Sequence, residues 1–375
     1  MIKVMTIVGT RPELIKLSRV IYELKKNVKH VLVHTGQNFD KELNDVFFEE
    51  LEISKPNYYL NAAGKSAIET ISQVLTKSEK VILKEKPDAV LIYGDTNSCM
   101  SAITAKRHKI PVFHMEAGNR SFDERIPEEI NRRIIDHISD INFTLTEHAR
   151  RYLLREGING ETVFKTGSSM EEVLNFYMPK INNSKILDKL KLKEDNFFLV
   201  SVHREENVDS RERLDLLLSS LNQLSKKYNK PIIFSVHPRT RKRINRIKGL
   251  KLNKLIYLSK PFGFLDYIKL QMNAKCILSD SGTISEESSI LNLPAVMLRQ
   301  AHERPEGMDE ATVIMSDLDI NEILDSIKVV VKHSNKSTPS LKQVDDYNGG
   351  KVSLKIIRLI LSYTSYIQRT VWRKN

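Results

Sequence analysis

The sequence predicts an α/β protein with two open parallel sheets, and three observations support that prediction. Short apolar stretches alternate with longer amphipathic stretches along most of the chain, and glycine or a small polar residue follows many of the apolar stretches. Strands that alternate with helices form parallel sheets through right-handed crossovers. The chain has 375 residues, whereas single cores rarely grow beyond roughly 250–300 residues. We therefore expect two domains of this class.

The first domain is predicted to span residues 1–181 and to begin with a strand at Ile2–Val8. Pro12 and Glu13 then indicate a helix start, because proline suits the first turn and a carboxylate favours the N-terminal end of the helix dipole. Apolar residues at helical spacing predict a long helix over Ile68–Lys84. An amphipathic helix is also expected after the second strand. The other strands are predicted at His30–His34, Ala89–Tyr93, Val112–His114, Ile141–Thr144 and Thr162–Thr166.

The polar, lysine-rich stretch Asn182–Asp195 is the candidate linker to a second domain over residues 182–351. A helix is expected over Arg211–Tyr228. A last helix over Val352–Lys374, in a third region 352–375, has apolar spacing that predicts packing on another part of the chain. Further strands are predicted at Phe197–Val202, Ile232–Val236, Leu255–Leu258, Cys276–Ser279 and Ala295–Leu298. Ligands commonly bind between such domains, so we expect a cleft that closes over its ligand.

The composition indicates a soluble cytoplasmic protein, with 41% apolar and 28% charged residues and a net charge of +12. Basic residues are spread along the chain, and the one denser run, Arg239–Lys254, is predicted to be a solvated helical face. No nucleic-acid-binding module accompanies the charge, which argues against nucleic acid as a partner. The N-terminus lacks a signal-peptide pattern, and no apolar run is long enough to span a membrane. Cys99 and Cys276 are expected to be buried free thiols.

The stretch Val112–Arg132 is the richest in candidate chemistry, with five carboxylates and four basic groups within 21 residues. It follows a predicted strand, and ligands of open α/β sheets bind beyond the carboxyl ends of the strands. Asp95, Glu116 and Glu128 could form a carboxylate cluster for proton transfer. They could equally form salt bridges with the arginines of the same stretch, Arg120, Arg125 and Arg132.

The segment Ser279–Glu287 has the pattern of a strand end, a Ser-Gly turn and a helix start. Such a helix N-terminus could bind phosphate, with Arg11, Arg204 and Arg304 as partners for a diphosphate. The alternative is a serine-capped helix. No HxxxH or CxxC spacing supports a metal site at His34, His114, His203 or His237, and no GxSxG sequence supports a serine triad.

Seven sequence motifs occur in the same order as in one known family. They are GTRPELIK (9–16), GDTNS (94–98), HMEAGNR (114–120), PEEINRR (127–133), SVHREEN (201–207), SDSGTISEE (279–287) and ERPEG (303–307). From about residue 1 to residue 365 the chain thus resembles the non-hydrolysing UDP-N-acetylglucosamine 2-epimerases. The resemblance implies two Rossmann-like domains of the glycosyltransferase-B type facing across a cleft, with the C-terminal helix crossing back to the first domain. It also implies a homodimer.

The same resemblance implies the chemistry and the site residues. The family inverts C2 of the sugar without nicotinamide or metal, by eliminating UDP to a 2-acetamidoglycal and adding it back. The implied catalytic residues are Asp95, Glu116, Glu128 and His203. The implied contacts to the UDP-sugar are Arg11, Lys16, Gln37, Arg132, Arg204, His237, Ser281, Gly282, Glu287 and Arg304, with Glu287 on the ribose hydroxyls.

The loop GNRSFDERIPEE and the ending SYTSYIQRTVWRK resemble a branch that makes UDP-N-acetyl-L-fucosamine for capsule or O-antigen. That branch epimerises C2 of a UDP-6-deoxy-L-talosamine derivative. Three alternatives stay open at this point. They are a glycosyltransferase of the same architecture, a hydrolysing UDP-sugar epimerase and a non-catalytic nucleotide-sugar sensor.

Overall fold

The chain divides into two units, each built around one parallel sheet. The computed structural model describes residues 1–37, 47–247, 249–334 and 338–374. One unit comprises Met1–Asn175 with Asp346–Asn375, and the other comprises Phe176–Asp345. The alternation of strands and helices expected from the sequence is therefore present in both units.

The sheet of the first unit has seven strands in the order β3-β2-β1-β4-β5-β6-β7, and every neighbouring pair is parallel. The strands are β1 (Lys3–Val8), β2 (Lys29–His34), β3 (Tyr58–Tyr59), β4 (Ala89–Tyr93), β5 (Val112–Met115), β6 (Ile141–Thr144) and β7 (Val163–Lys165). The strand order changes direction between β1 and β4. In open α/β sheets ligands bind at such a switch point.

The sheet of the second unit has six strands in the order β10-β9-β8-β11-β12-β13, again all parallel. The strands are β8 (Phe198–Ser201), β9 (Ile232–Ser235), β10 (Ile256–Ser259), β11 (Cys276–Ser279), β12 (Ala295–Leu298) and β13 (Ile314–Ser316). The direction changes between β8 and β11, so the loops after these two strands lie at the second switch point.

Helices follow most of the strands, and local sequence explains where several begin and end. Ser66 and Ser210 accept hydrogen bonds from backbone N–H groups in the first turns of their helices. The helices are α1 (Arg11–Asn27), α2 (Ala67–Glu85), α3 (Ser101–Arg107), α4 (Pro127–Ile138), α5 (Glu147–Arg155), α6 (Met170–Asn183), α7 (Ile186–Leu190), α8 (Glu205–Val208), α9 (Arg211–Tyr228), α10 (Pro238–Ile244), α11 (Phe264–Asn273), α12 (Thr283–Leu291), α13 (Pro305–Asp309), α14 (Ile320–His333) and α15 (Val352–Thr370). Residues 47–50 are also helical.

The C-terminal helix α15 belongs to the first unit, where it packs against α1. Its apolar residues recur at helical spacing, and Ile356, Ile360 and Ile367 are buried. Helix α1 follows strand β1 and carries Glu13 and Lys16. The packing of α15 therefore stabilises the helix that holds these two side chains.

Some expectations about local structure need correction. The predicted linker Asn182–Asp195 contains helix α7, because Ile186 and its apolar neighbours pack into the second core. Among the described residues of the basic run Arg239–Lys254, helix is confined to residues 239–244, the part covered by α10 (Pro238–Ile244), and Arg239 forms ion pairs with Glu205 and Asp209. The helix expected after the second strand lies partly outside the described residues.

Two further expectations concern cysteines and membranes. Cys99 and Cys276 are buried free thiols, as the sequence predicted. Within residues 1–37, 47–247, 249–334 and 338–374, no helix is long and apolar enough to cross a membrane.

Candidate active site

Asp95 follows strand β4 and is held by two consecutive residues of α4. Arg132 Nε donates a hydrogen bond to Asp95 Oδ2 at 2.6 Å, and Arg132 Nη1 donates to Glu129 Oε2 at 3.1 Å. Asn131 Nδ2 donates to the Asp95 carbonyl oxygen at 2.8 Å. Helix α4 therefore fixes both the backbone and the carboxylate of Asp95 and balances its charge.

Glu116 follows the neighbouring strand β5 and adopts an unusual backbone conformation, with φ of +66°. A non-glycine residue in this left-handed region costs free energy, and such residues are common at functional sites. Lys16 Nζ donates to Glu116 Oε2 at 2.9 Å, and the Lys16 side chain is only 5% exposed. Asn119 Nδ2 donates to the other carboxylate oxygen at 3.3 Å. The backbone and these donors together direct the Glu116 carboxylate.

A buried network lies beneath the loops that carry Asp95 and Glu116. The His114 ring places Nδ1 2.9 Å from Asp136 Oδ1 and Nε2 3.0 Å from the Gly94 carbonyl oxygen. A carboxylate and a carbonyl are both acceptors, so each ring nitrogen of His114 faces a hydrogen-bond acceptor. Arg120 Nη1 donates to Asp136 Oδ2 at 2.7 Å. Burial alone raises the pKa of Asp136, but His114 and Arg120 together hold it below its ordinary value.

The sequence left open whether the carboxylates Asp95, Glu116 and Glu128 form a cluster for proton transfer or pair with the arginines of the 112–132 stretch. Arg120 pairs with Asp136 and Glu156, and Arg125 pairs with Asp123. Arg132 pairs with Asp95, as the salt-bridge alternative predicted. Glu116 pairs with Lys16, a residue outside the stretch. Glu128 is half-buried in the first turn of α4.

Arg11 and Gln37 follow strands β1 and β2 in the same unit. The Arg11 guanidinium carbon lies 5.3 Å from the centroid of the Phe47 ring. A Cβ atom on Gly9 would lie 2.6 Å from Thr35 Oγ1 and 3.0 Å from the Gln37 side chain. Glycine at position 9 therefore allows the loop after β1 to approach Gln37 closely.

In the second unit, Asp280 follows β11 and organises the loop after β8. Its carboxylate accepts hydrogen bonds from the backbone N–H groups of His203 and Arg204, the shorter contacts being 3.0 and 2.9 Å, and from Asn207 Nδ2 at 3.2 Å. The Nδ1 atom of His203 lies 3.3 Å from Asp280 Oδ1, while the ring is 48% exposed. Asp280 thus orients the His203 ring and leaves much of it accessible.

The turn at Ser281–Gly282 leads into α12 and lies beside Arg204 and Glu303. Ser281 Oγ accepts a hydrogen bond from the Thr283 backbone N–H at 3.3 Å, and the next residue, Gly282, is the N-cap of the helix. A Cβ atom on Gly282 would lie 3.9 Å from Arg204 Nη2. Arg204 and Arg299 both contact Glu303 Oε1, at 3.2 and 3.1 Å. The N-terminus of α12 therefore lies beside an ion pair formed by Arg204 and Glu303.

The other predicted residues of this unit, Arg304, Glu287 and His237, each form a hydrogen bond or an ion pair. Arg304 Nη2 lies 2.9 Å from Glu286 Oε1. Gln271 Nε2 donates to Glu287 Oε2 at 2.6 Å, and both side chains are buried. The exposed His237 precedes α10, and its Nδ1 accepts from the Arg239 backbone N–H at 3.3 Å.

Comparison with known proteins identifies the family. The model of the family described as UDP-N-acetylglucosamine 2-epimerase matches residues 22–361. The chain belongs to this family.

Similar epimerases cover nearly the whole chain. The solved structure of UDP-N-acetylglucosamine 2-epimerase from Rickettsia bellii is 57% identical, covers 100% of both chains and has a TM-score of 0.94. The Methanocaldococcus jannaschii UDP-GlcNAc 2-epimerase, solved in complex with UDP-GlcNAc and UDP, is 37% identical, covers 96% of this chain and 99% of its own, and has a TM-score of 0.89. A Pseudomonas aeruginosa relative, UDP-2,3-diacetamido-2,3-dideoxy-D-glucuronate 2-epimerase, is 34% identical over 94% of this chain and 98% of its own.

These matches confirm the predicted fold class, two Rossmann-like units of the glycosyltransferase-B-like type, and the prediction of an epimerase enzyme. The residues predicted for this UDP-N-acetylglucosamine 2-epimerase family member fall into two groups. The first unit holds Arg11, Lys16, Gln37, Asp95, Glu116, Glu128 and Arg132, and the second holds His203, Arg204, His237, Ser281, Gly282, Glu287 and Arg304. Many of them follow the carboxyl ends of strands.

The sequence did not single out several residues that support the loops carrying the candidate residues, among them Glu13, Asp136, Asp280 and Arg299. Arg299 is buried at the end of β12, where burial and the charge of Arg204 lower its pKa. Glu13, Asp280 and Arg299 lie within or beside the motifs quoted above, which is the signal that could have identified them. In the part of the chain that the structure describes, no group of three or more His, Cys, Asp or Glu side chains could hold a metal ion.

Proposed function

We propose that this protein inverts the configuration at C2 of a UDP-N-acetylhexosamine. One observation carries the proposal within this epimerase family. Asp95 and Glu116 follow the neighbouring strands β4 and β5, and each carboxylate is paired with a largely buried cation. Two carboxylates in different surroundings can divide the acid and base roles of a proton transfer at carbon.

The proposed reaction has two steps that balance without an external oxidant. A carboxylate removes the proton from C2 while the C1–O bond breaks, and UDP leaves with the bonding electrons to give a 2-acetamidoglycal. A UDP oxygen then adds back to C1, and a proton is delivered to the opposite face of C2. Asp95, Glu116 and Glu128 are the proposed acid, base and charge-stabilising groups, together with His203.

The proposed UDP contacts follow from charge and helix geometry. The N-terminus of α12 at Ser281–Gly282, with Arg204 and Arg304, suits a leaving diphosphate. Glu287 is suited to accept hydrogen bonds from ribose hydroxyls. The other proposed contacts to the UDP-sugar are Arg11, Lys16, Gln37, Arg132 and His237.

The substrate that we favour is a UDP-6-deoxy-L-talosamine derivative, converted to UDP-N-acetyl-L-fucosamine for a surface polysaccharide. The support is the loop at residues 118–129 and the C-terminal sequence at residues 362–374. The relative that acts on a UDP-diacetamido-glucuronate sugar indicates that members of this family differ in the sugar they convert.

Proton NMR in deuterated water tests both the reaction and the branch. Purified protein is incubated separately with UDP-GlcNAc and with UDP-N-acetyl-6-deoxy-L-talosamine, with no added cofactor, metal or sugar acceptor. We expect deuterium at C2 together with a new epimer, and faster turnover of the talosamine derivative.

Other outcomes would redirect the proposal. Faster turnover of UDP-GlcNAc would overturn the L-fucosamine branch alone. Free N-acetylmannosamine with UDP as net products would indicate a hydrolysing epimerase. Tight UDP binding with no exchange on either sugar would favour a glycosyltransferase.

We also propose that the protein is a cytoplasmic homodimer. The two buried free thiols suit a reducing compartment. Light scattering during size-exclusion chromatography should give twice the chain mass of 43.2 kDa, and a monomer mass would contradict the dimer. Cell fractionation with a chain-specific antibody should recover the protein in the cytosolic fraction.

A further inference from the structure

Glu13 is a buried carboxylate that the proposed reaction does not use. It is 3% exposed in the first turn of α1. Its Oε2 accepts from the Gly9 backbone N–H at 2.8 Å, and its Oε1 accepts from the hydroxyls of Thr10 and Thr96 at 2.8 and 2.7 Å. Ser98 Oγ lies 3.2 Å from Oε2. One carboxylate therefore accepts from four residues.

These four residues belong to two loops that flank the switch point of the first sheet. Gly9 and Thr10 follow β1 and immediately precede Arg11, whereas Thr96 and Ser98 follow β4 and lie within three residues of Asp95. Strands β1 and β4 are neighbours. Glu13 is thus a bridge between the loop that leads to Arg11 and the loop that carries Asp95.

Burying a carboxylate is costly unless hydrogen bonds compensate for the lost water. The contacts described for Glu13 come from a backbone N–H group and hydroxyls, rather than from an arginine or lysine. An apolar side chain at this position would leave the Gly9 N–H group and the hydroxyls of both loops without their acceptor, which costs free energy. The Glu13 carboxylate is therefore suited to hold the two loops at a fixed separation.

We propose that Glu13 is a positioning residue that fixes the loops after β1 and β4 and thereby places Arg11 and Asp95 for the substrate. This inference rests on the proposed function, because it assumes that Asp95 acts on the UDP-sugar. Glu13 itself need not touch the substrate.

The variant Glu13→Gln tests this role, since it keeps the shape of the side chain but replaces one acceptor oxygen with an N–H donor group. On whichever UDP-sugar the unaltered protein converts, we expect kcat to fall at least tenfold while KM changes less than threefold. The matched control is Glu172→Gln. Glu172 also accepts a backbone N–H and a hydroxyl, both from Ser353, at 2.9 and 2.5 Å. Its kcat should stay within twofold of the unaltered protein.

Hydrogen exchange followed by mass spectrometry provides a readout that does not depend on turnover. Glu13→Gln should speed amide exchange in peptides covering residues 9–16 and 94–101 together. Glu172→Gln should instead speed exchange near the start of α15, at residues 351–356. Unchanged exchange in the two loops, or an unchanged kcat, would overturn the role of Glu13.

The two proposals can fail separately. If the unaltered protein converts neither sugar, the proposed function fails, and the exchange experiment alone decides whether Glu13 bridges the loops. If Glu13→Gln does not fold, Thr96→Val removes one donor without changing the side-chain shape. We then expect about a threefold loss of kcat and faster exchange at residues 94–101, and their absence would contradict the proposal.

Discussion

At the scale of single residues, the candidate site depends on charges that distant parts of the chain bring together. Lys16 from α1 meets Glu116 beyond β5, and Arg132 from α4 meets Asp95 beyond β4. Each ion pair is largely shielded from solvent, so the attraction is screened less than at a surface. The structure therefore supplies charged groups whose positions are set by the fold before any ligand binds.

Glu13 leads to a prediction about stability and pH. Burial, opposed by its hydrogen bonds, raises the pKa of Glu13 from its ordinary value near 4.5 to about 7. The folded state therefore keeps the proton more tightly than the unfolded state. The resulting stabilisation is full below pH 4.5 and is lost as the pH rises to about 7, a change of about 3 kcal/mol for a shift of this size.

Urea unfolding of the unaltered protein and of Glu13→Gln at several pH values between 4.5 and 8 measures this effect. The glutamine variant lacks the titrating group, so its free energy of unfolding should not show this loss. The difference between the variant and the unaltered protein should therefore shift in favour of the variant as the pH rises. Parallel curves for the two proteins would show that Glu13 keeps an ordinary pKa in the folded state.

At the scale of elements, the packing of α15 on α1 gives the clearest prediction. Ile360 is completely buried in α15, whereas the next residue, Leu361, is 48% exposed. Ile360→Ala should lower the free energy of unfolding by about 2–5 kcal/mol, because it removes buried methyl groups and leaves a cavity. Leu361→Ala is the matched control and should change stability by no more than about 0.5 kcal/mol. Denaturant titration of both variants measures the difference. Equal losses of unfolding free energy would show that Ile360 is no more buried than Leu361.

Helices and strands with strong local signals were predictable from the sequence. The helix over Arg211–Tyr228 has the predicted bounds, because Ser210 caps its start and Asn229 ends it in a left-handed conformation. The short strands Tyr58–Tyr59 and Ile314–Ser316 were not predicted, since a strand this short has no periodicity of its own. Such strands form because a neighbouring strand provides a partner.

The same distinction applies to the candidate site. Asp95, Glu116 and His203 were predicted because they follow strands within recognisable motifs. The supporting residues were missed because their partners are far away in the chain. Asp280 binds the loop of His203 and Arg204, and Asp136 on α4 pairs with His114 on β5 and with Arg120 in the loop between them. Nothing in the local sequence shows which of these side chains will meet.

At the scale of the whole molecule, each unit has its own sheet and buried core, and the proposed UDP contacts are found mostly in the second unit. A ligand that binds only the folded state stabilises it by mass action, by about 2.7 kcal/mol at a concentration one hundred times its Kd. We therefore expect UDP to raise the temperature of unfolding in scanning calorimetry, and the rise should continue with each tenfold increase in UDP.

Arg304 should account for part of that shift, because its guanidinium group suits the diphosphate. Arg304→Ala should weaken UDP binding at least tenfold, which lowers the stabilisation at high UDP by about 1.4 kcal/mol. Because Arg304 also pairs with the buried Glu286, each variant must be compared with itself in the absence of UDP. Arg358→Ala, at an exposed position on α15, serves as the control and should show the same UDP-dependent shift as the unaltered protein. If UDP raises the unfolding temperature of Arg304→Ala as much as that of the unaltered protein, Arg304 does not contact the diphosphate. That result would not test the N-terminus of α12, which is a separate proposed contact.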